Sequence, residues 1–353
     1  MNTELLKEAI EKLLIWYPSH KRELPWRDNP SPYLVWISEI MLQQTRIETV
    51  IPYYECFIKE FPDVKALAEV EEERLMKLWQ GLGYYSRVRN LRLSARMIMS
   101  DFNGVIPDNV ADLRKLPGIG AYTAGAIASI ACGQPEPAVD GNVLRVIMRL
   151  FACDHDITRT KTLNEVTQSL REVYPSGTAA GELTEGLMEL GEVVCLPNTQ
   201  PLCDRCPWNG LCLAHAQGGE QDFPVHSARS EREIKEMTVA LIECGNYYVL
   251  RKRDKNGLLA DMWEFVNIPG TEVEPLIEWL LQNGVKVEAL EPLGSTRHVF
   301  THIEWRMKCY RIVTYDRSPM FTWKTARQIH EQCAIPSAFR YLVDRVPYQG
   351  GKE

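Results

Sequence analysis

Four cysteines lie close together in the segment VVCLPNTQPLCDRCPWNGLC. Cys195, Cys203, Cys206 and Cys212 have the spacing C-x7-C-x2-C-x5-C, which allows their thiolates to converge on one metal centre. Tetrahedral zinc and a [4Fe-4S] cluster both suit such a ligand set, and unliganded buried cysteines are the third interpretation. Zinc sites usually carry a repeated C-x2-C pair, whereas this segment has a single pair and no histidine at a matching offset, so the spacing favours iron-sulfur.

Two carboxylates are candidates for acid-base chemistry. Asp140 stands in PAVDGNVLRV between an apolar, strand-like run and Gly141, and Glu39 stands in WISEIMLQQT. On a helical wheel Glu39 lies opposite the apolar face that is formed by Tyr33, Ile37, Ile40 and Met41. A solvated carboxylate is therefore the simplest interpretation of each acid taken alone.

A glycine-containing turn, LPGIG, precedes the small-residue segment AYTAGAIASIA. Gly118 and Gly120 would let backbone N–H groups point outward at a helix start, where a phosphate can bind without any lysine. A plain turn between two helices is the alternative interpretation.

The elements that must position these residues change type along the chain. From residue 1 to about 215, apolar residues recur every three or four positions, which predicts an all-α domain. Ser31-Pro32 is typical of a helix start, ahead of YLVWISEIM. Residues 216–235 are polar and lack periodicity, which predicts a linker.

From residue 236 to 353 the pattern predicts a second domain of the α+β class. Gly245-Asn246 separates two apolar runs and is a hairpin signal. HIEWRMKC alternates as a half-buried strand does, and PLIEWLLQNG reads as a short amphipathic helix that ends at Gly284.

Length and composition limit the class of protein. A chain of 353 residues with 45% hydrophobic residues fits two domains. No apolar run is long enough for a bilayer, and MNTELLKEAIEKLL is unlike a signal peptide, so a cytoplasmic protein without a membrane partner is expected. A net charge of −7 argues against coating nucleic acid by bulk charge, so any such contact must be local.

LPGIG followed by VDGNV and the four-cysteine run resembles the helix-hairpin-helix glycosylase superfamily, in its iron-sulfur branch. Within it, LPWR, PYLVWISEIMLQQT, GLGYYSR and HVFTHIEW are similar to the MutY adenine DNA glycosylases, and they occur in the family's order over nearly the whole chain. The resemblance implies an all-α helix-hairpin-helix glycosylase domain with an iron-sulfur cluster loop at 1–215. It also implies an α+β, Nudix-like domain for 8-oxoguanine recognition at 236–353.

The resemblance implies an enzyme of base excision repair that removes adenine mispaired with 8-oxoguanine or guanine. Loss of the base needs a proton on adenine and a negative charge near the sugar as it becomes an oxocarbenium ion. The resemblance makes Glu39 the general acid at adenine N7 and Asp140 the ionised group beside C1′, with Tyr122 and Asn142 orienting the site. Glu39 must then be desolvated to keep its proton.

Further residues carry over by the same resemblance. It places Trp26, Arg27 and Glu185 in the adenine pocket, and Gly118 and Gly120 at a DNA phosphate. The groups that enter the duplex or detect 8-oxoguanine are Gln44, Thr45, Leu82, Tyr84, Phe300, Thr301 and His302. The ligands of a [4Fe-4S] cluster are Cys195, Cys203, Cys206 and Cys212. Arg89, Arg92 and Arg96, in the densest basic stretch, share one predicted helical face, which either binds phosphate or is solvated.

The sequence departs from the family at several points. The first cysteine gap is one residue longer than usual, Thr301 replaces the serine of Phe-Ser-His, and Leu144 stands where some relatives have lysine. The acidic Nudix box G-x5-E-x7-R-E-x2-E-E is missing, so a reader domain without hydrolase activity is expected.

Two other functions remain alternatives. A thymine-glycol type lyase needs a Schiff-base lysine, and residues 116–126 contain none, which favours a monofunctional glycosylase. A non-catalytic iron-sulfur DNA-binding module would not need Glu39. The expected partner is double-stranded DNA with an A:8-oxoguanine or A:G mispair, bound by a monomer associated with the nucleoid. Replication or repair partners cannot be inferred from the sequence.

Overall fold

The computed structural model describes residues 1–227 and 231–348, whose chain forms two compact units. The first unit comprises Met1–Glu69 with Asn90–Ala228, and the second comprises Val70–Arg89 with Arg229–Glu353. Residues 228–230 of the predicted linker and 349–353 of the predicted second domain lie outside the described residues. None of the helices within the described ranges combines the length and apolarity that a membrane crossing requires.

Residues 70–89, which the periodicity assigns to the helical domain, belong to the second unit. Hydrogen bonds to backbone carbonyls explain this grouping: Lys77 Nζ donates to Cys333 O at 3.1 Å and Gln80 Nε2 to Ile335 O at 2.9 Å. Such contacts join segments that are far apart in sequence, and a local pattern does not register them.

The chain up to residue 216 is helical, as its periodicity predicts. Its α-helices are α1 (Thr3–His20), α2 (Pro32–Leu42), α3 (Ile47–Glu60), α4 (Val64–Glu69), α5 (Glu72–Leu78), α6 (Ser86–Asp101), α7 (Val110–Leu113), α8 (Ala121–Ala126), α9 (Gly141–Leu150), α10 (Thr160–Arg171), α11 (Thr178–Val193) and α12 (Leu213–Ala216). A π-helical turn, Ile127–Ala131, continues α8, and short 3-10 helices cover Cys203–Arg205 and Glu220–Asp222. The last of these lies in the predicted linker, and so do residues 233–235, which begin the first strand of the second unit.

The core of the first unit forms where α1, α9 and α11 pack together. Leu13, Ile147 and Leu187 are each no more than 1% exposed there. Burial of one such side chain stabilises the fold by about 1.5–3 kcal/mol. Trp208, from the cysteine segment, is also buried and donates its Nε1 hydrogen to Ala9 O at 2.7 Å, so that segment is tied to α1.

Helix α2 begins as its sequence predicts, but its surroundings differ from the prediction. Ser31 Oγ accepts the Leu34 N–H at 3.3 Å and Pro32 occupies the first turn. The helix is buried on nearly every side, and Glu39 is only 5% exposed. The interpretation of Glu39 as a solvated carboxylate is therefore wrong. A helical wheel assumes that one face of the helix is exposed to solvent, whereas α2 lies in the interior.

The LPGIG segment forms a turn that leads into α8, for which Gly120 is the N-cap residue. Gly118 adopts φ +79°, and a Cβ atom there would lie 2.7 Å from Cβ of Asn90. Ser94 Oγ donates to Pro117 O at 2.8 Å and fixes the preceding carbonyl. The predicted turn at a helix start is thus present, and the position of Gly118 requires glycine.

Replacing Gly118 by alanine is expected to lower the free energy of unfolding by about 1–3 kcal/mol, because a side chain is strained at this φ and collides with Asn90. Gly120 is the matched control: its φ is −87°, and no atom lies within 4 Å of the position that an alanine Cβ would take. Thermal denaturation of both variants tests this. Equal stability of the two variants would contradict the expectation.

The second unit is built on a mixed sheet. Its strands are β1 (Glu233–Cys244), β2 (Tyr247–Lys252), β3 (Trp263–Glu264), β4 (Val266–Pro269), β5 (Ala289–Val299), β6 (Ile303–Val313) and β7 (Thr322–Thr325). The main strand order is β3-β2-β1-β6-β5, with β4 paired to β1 and β7 paired to β2. β1 and β6 run parallel, from Glu233 opposite Ile303 to Glu243 opposite Val313, whereas the other pairs are antiparallel.

Both faces of this sheet are covered. One face packs with α14 (Ala326–Glu331) and α15 (Arg340–Val343), and the other packs with α13 (Glu274–Gln282). The predicted hairpin joins β1 to β2, since Cys244 pairs with Tyr247, and Trp305, Met307 and Cys309 are buried on one face of β6 as the alternation predicts. The predicted helix is α13. The α+β class is confirmed.

Candidate active site

A cavity of about 1050 Å³ lies in the first unit. Its wall includes the predicted catalytic residues Glu39, Tyr122, Asp140 and Asn142, which come from α2, α8 and the start of α9. Both carboxylates therefore line the same cavity although a hundred residues separate them in the chain. Only the packing of these helices could bring them together.

The surroundings of Glu39 favour the protonated form of its carboxyl group. The pKa of its carboxyl is raised from 4.5 to about 7, mainly by burial and also by the negative charges of Asp140 and Glu185. A hydrogen bond from the Tyr122 hydroxyl to Oε2, 2.6 Å long, and the positive charge of Arg27 act in the opposite direction. The balance gives a carboxyl that is about half protonated near neutral pH.

Asp140 caps α9. Its Oδ1 accepts the Val143 N–H at 2.8 Å and its Oδ2 accepts Asn142 Nδ2 at 3.0 Å. Burial raises the pKa of Asp140 above its usual value, and these hydrogen bonds and the charge of Arg145 only limit the rise. The strand-like run at the described residues 137–139 is not a strand: it leads directly to Asp140, whose extended backbone is that of a helix N-cap.

A chain of hydrogen bonds links Asp140 to the cysteine segment. Asn142 Oδ1 accepts Arg145 NH2 at 2.9 Å, and Arg145 in turn donates to Gly191 O at 2.8 Å and to Cys195 O at 2.9 Å. A Cβ atom at Gly191 would lie 2.8 Å from Cβ of Asn142, so glycine permits this close approach of α11 to α9. The geometry of Asp140 thus depends on where the loop after α11 lies.

Another part of the cavity wall carries aromatic and charged side chains. Trp26 is 6% exposed and packs edge-on against Tyr54, with 5.3 Å between ring centroids. Arg27 Nε lies 3.5 Å from Glu185 Oε1, and the Tyr17 hydroxyl donates to Glu185 Oε2 at 2.7 Å. The cavity therefore combines a flat apolar surface with fixed charges, which suits a planar, polar ligand such as a nucleobase.

The predicted duplex-entering residues divide between the units. Gln44, with φ +58°, and Thr45 lie at the end of α2 and line the cavity. Leu82, Tyr84, Phe300, Thr301 and His302 belong to the second unit. There the Tyr84 hydroxyl hydrogen-bonds to Thr301 Oγ1 at 2.7 Å, and Phe300 packs against Trp305 with 4.9 Å between centroids. Tyr84, Thr301 and His302 are exposed.

Much of the dense basic stretch is engaged within the protein. Arg87 is buried, stacks over Trp79 and donates to Leu82 O at 3.0 Å. Arg89 donates to Ala260 O at 2.7 Å, and Arg96 donates to Ala68 O at 3.1 Å. Neither interpretation of the basic helical face, phosphate binding or exposure to solvent, included the carbonyl contacts of Arg89 and Arg96. The acceptors of these two arginines lie in other segments of the chain.

The four cysteines line one small cavity in the first unit. Arg149 NH1 donates to Cys195 Sγ at 3.3 Å, and the Trp208 N–H donates to Cys206 Sγ at 3.4 Å. Burial, followed by the charge of Glu220 and the hydrogen bond to it, raises the pKa of Cys203 to about 11. Burial, with the charges of the neighbouring cysteines, raises the pKa of Cys206 to about 12. Four thiols at one cavity, two of which accept N–H donors, are a donor set that fits a thiolate-ligated metal centre.

Sequence reasoning missed several groups at both sites. The possible metal-ligand atoms of Cys203, His215 and Glu220 lie within 4.8 Å of one another, and His215 Nδ1 is 2.5 Å from Glu220 Oε1. Around the larger cavity, Tyr17, Arg22 and Glu189 were not singled out. The sequence offers one signal for Glu189: it follows Glu185 by four residues, so the two acids lie one helical turn apart on the same face of α11.

Comparisons with known proteins identify families that this chain matches. Residues 37–172 match the family described as HhH-GPD superfamily base excision DNA repair protein, and residues 238–345 match the NUDIX domain family. The adenine DNA glycosylase of Homo sapiens is 32% identical over 405 residues, which cover 96% of this chain and 73% of the relative. That of Rattus norvegicus is 31% identical, over 93% of this chain and 76% of the relative.

Solved structures share the fold of the first part of the chain. A thermostable thymine-DNA glycosylase is 25% identical, with a TM-score of 0.55, and covers 61% of this chain and 100% of its own. Endonuclease III in a non-covalent DNA complex is 24% identical, with a TM-score of 0.53, and covers 62% of this chain and 98% of its own; it supports the fold alone. With the two relatives matched over most of their length, these findings establish that the chain belongs to the adenine DNA glycosylase family.

Proposed function

We propose that the protein is a monofunctional glycosylase that hydrolyses the N-glycosidic bond of adenine opposite 8-oxoguanine or guanine in double-stranded DNA. One observation carries the proposal: Glu39 is buried, its pKa is raised to about 7, and it shares a cavity with Asp140. A carboxylic acid that is partly protonated at neutral pH beside a second carboxylate is the arrangement that glycosidic cleavage needs.

Glu39 protonates the departing base. Its Oε2 accepts the Tyr122 hydroxyl, which leaves Oε1 to hold the proton and pass it to adenine N7. The bond between the base nitrogen and C1′ then breaks, the electron pair leaves with the now neutral base, and positive charge develops on the sugar. Water adds to C1′ and loses its proton to the Glu39 carboxylate, which restores the acid.

Asp140 stabilises the positive sugar. Burial raises the pKa of Asp140, but the Val143 N–H, Asn142 and Arg145 all favour its ionised form, and we assign the stabilising negative charge to this carboxylate. Because both acids line a cavity within the first unit, the adenine must leave the helical stack to reach them. Trp26, Arg27 and Glu185 then surround the extruded base, while Gln44, Thr45, Leu82 and Tyr84 fill or wedge the opened stack.

A lyase reaction is disfavoured by the composition of the cavity. No lysine occurs among the described residues that line it, and a Schiff base requires an amine. In an assay on an A:8-oxoguanine duplex, we therefore expect free adenine and an intact abasic strand that is cut only after alkali. Strand cleavage without alkali would overturn the monofunctional assignment, and no release of adenine would overturn the glycosylase.

We assign recognition of 8-oxoguanine to Phe300, Thr301 and His302, and contact with a DNA phosphate to Gly118 and Gly120. Thr301 keeps the hydroxyl that a serine would supply, and this hydroxyl already bonds to Tyr84. The exposed positions of Thr301 and His302 support a reading role, since a buried turn could not meet a base.

His302→Ala is expected to remove the preference for A:8-oxoguanine over A:G, while the excision rate at saturating enzyme stays within about threefold of wild type. Binding and single-turnover rates on the two duplexes measure this. His330, which bonds to Val346 O, provides the control variant His330→Ala. A preserved preference in the His302 variant would move recognition to other residues.

We infer that Cys195, Cys203, Cys206 and Cys212 hold a [4Fe-4S] cluster. When bound, such a cluster supplies a rigid cross-link and a tunable charge, and no step of base excision is assigned to it. The extra residue in the first cysteine gap lies in the turn between α11 and Cys203. Iron and sulfide in equal amounts with absorption in the visible range are expected, whereas stoichiometric zinc would overturn the inference.

A further inference from the structure

We propose that Glu189 is a positioning residue that fixes Arg27 and, through it, Glu185 at the wall of the base cavity. This proposal rests on the glycosylase function proposed above. Arg27 and Glu185 line the cavity, whereas Glu189 is absent from the described lining residues and is 0% exposed. A charged side chain at such depth needs a compensating partner and calls for an explanation of what it holds.

Glu189 receives hydrogen bonds from two arginines. Arg22 donates from its backbone N at 3.2 Å, from Nε at 2.6 Å and from NH2 at 3.2 Å. Arg27 donates from NH2 to Oε2 at 2.7 Å. Burial raises the pKa of Glu189, but these hydrogen bonds and charges outweigh it, and the pKa lies below its usual value. Glu189 is therefore a fixed anion between two cations.

Arg27 is held on several sides. Its NH1 donates to Arg22 O at 3.0 Å, its guanidinium lies 5.8 Å from the centroid of the Tyr17 ring, and its Nε is 3.5 Å from Glu185 Oε1. Tyr17 meanwhile donates to the other oxygen of Glu185 at 2.7 Å. Glu189 thus holds Arg27, and Tyr17 holds Glu185. Neither Glu189 nor Tyr17 is among the described residues that line the cavity.

The orientation matters because these two groups influence the acid. Arg27 lowers the pKa of Glu39 and Glu185 raises it, so displacement of either changes the proton available for excision. A displacement of about 1 Å in groups that surround a reacting centre can cost roughly 10²-fold in rate. Loss of the Glu189 charge should therefore appear in the chemical step and in its pH dependence.

Glu189→Gln tests the proposal, because glutamine keeps the size of the side chain and removes its charge. We expect affinity for an A:8-oxoguanine duplex within about threefold of wild type, and a single-turnover excision rate lower by roughly 10- to 100-fold with a displaced basic limb of the pH profile. Glu182→Gln, the same change on α11 outside this network, is the matched control and should behave as wild type.

A double-mutant cycle separates positioning from a general structural effect. In an Arg27→Gln background, Glu189→Gln should lower the rate by less than about twofold further, because its target is already gone. Equal losses in both backgrounds, or a rate loss with an unmoved pH profile, would overturn the proposal. If Glu189→Gln does not fold, Arg22→Gln, which removes only one of the two cations, takes its place with the same criteria. Failure of the wild-type protein to release adenine would instead reject the function proposed above.

Discussion

Replacing Glu39 by glutamine is expected to reduce the single-turnover rate of adenine excision by at least ~10²-fold, since general acid catalysis commonly contributes 10²–10⁴-fold. Glutamine can still accept the Tyr122 hydroxyl but has no proton to give. Affinity for a duplex with an A:8-oxoguanine pair should remain close to that of wild type. A variant that excises adenine at the wild-type rate would remove Glu39 from the role of acid.

The dependence of the excision rate on pH tests the same role of Glu39. Excision needs the protonated form of Glu39, whose pKa is raised to about 7, so the wild-type rate should fall as pH rises above about 7. Each further pH unit lowers the protonated fraction about tenfold. The glutamine variant should lack this limb, because its side chain does not titrate.

The raised pKa of Glu39 also makes the stability of the fold depend on pH. In the unfolded chain Glu39 ionises near its ordinary pKa of 4.5, whereas in the folded chain it keeps its proton up to about 7. Between these values the folded state binds more protons, so this group makes stability fall as pH rises, by up to roughly 3 kcal/mol in total. Glu39→Gln should therefore be more stable than wild type at pH 8 and similar to it near pH 4.5.

Replacing Asp140 by asparagine is the second change with a large expected effect, a loss of about 10²–10³-fold in excision rate. The negative charge beside the sugar disappears, whereas asparagine still accepts the Val143 N–H and caps α9. Single-turnover kinetics with a thermal unfolding curve of the same preparation measure the two effects.

Asp140→Ala separates the charge from the cap. It should lose as much activity as the asparagine variant and, in addition, about 1 kcal/mol of stability, because alanine cannot cap the helix. If the asparagine variant retained most of the activity, the charge of Asp140 would not be the group that stabilises the sugar.

Several features of this protein follow from local sequence, because their causes are local. Ser31-Pro32 starts α2, Gly118 takes the positive φ of the turn before α8, and the β1–β2 hairpin turns at Gly245-Asn246. Capping, backbone sterics and alternation act over a few residues, so a pattern of that length suffices to predict them. The cysteine spacing is of the same kind: it predicts that the four thiols lie together, and all four line one small cavity.

Other features could not be read from any local pattern. The parallel pairing of β1 with β6, and the grouping of residues 70–89 with the C-terminal chain, join segments that are distant in sequence. Glu185-x3-Glu189 marks two acids on one helix face, but only the arrival of Arg22 and Arg27 from another segment shows why α11 keeps them there.

By itself the sequence determined the family, the order of the elements and the residue types available for acid-base chemistry and metal binding. The tertiary structure decided the state of those residues. Helical periodicity placed Glu39 on a wet face, whereas its burial beside Asp140 is what raises its pKa to about 7. Desolvation and charge interaction depend on everything that packs around a group, so the acid at position 39 is a property of the folded cavity and not of its helix.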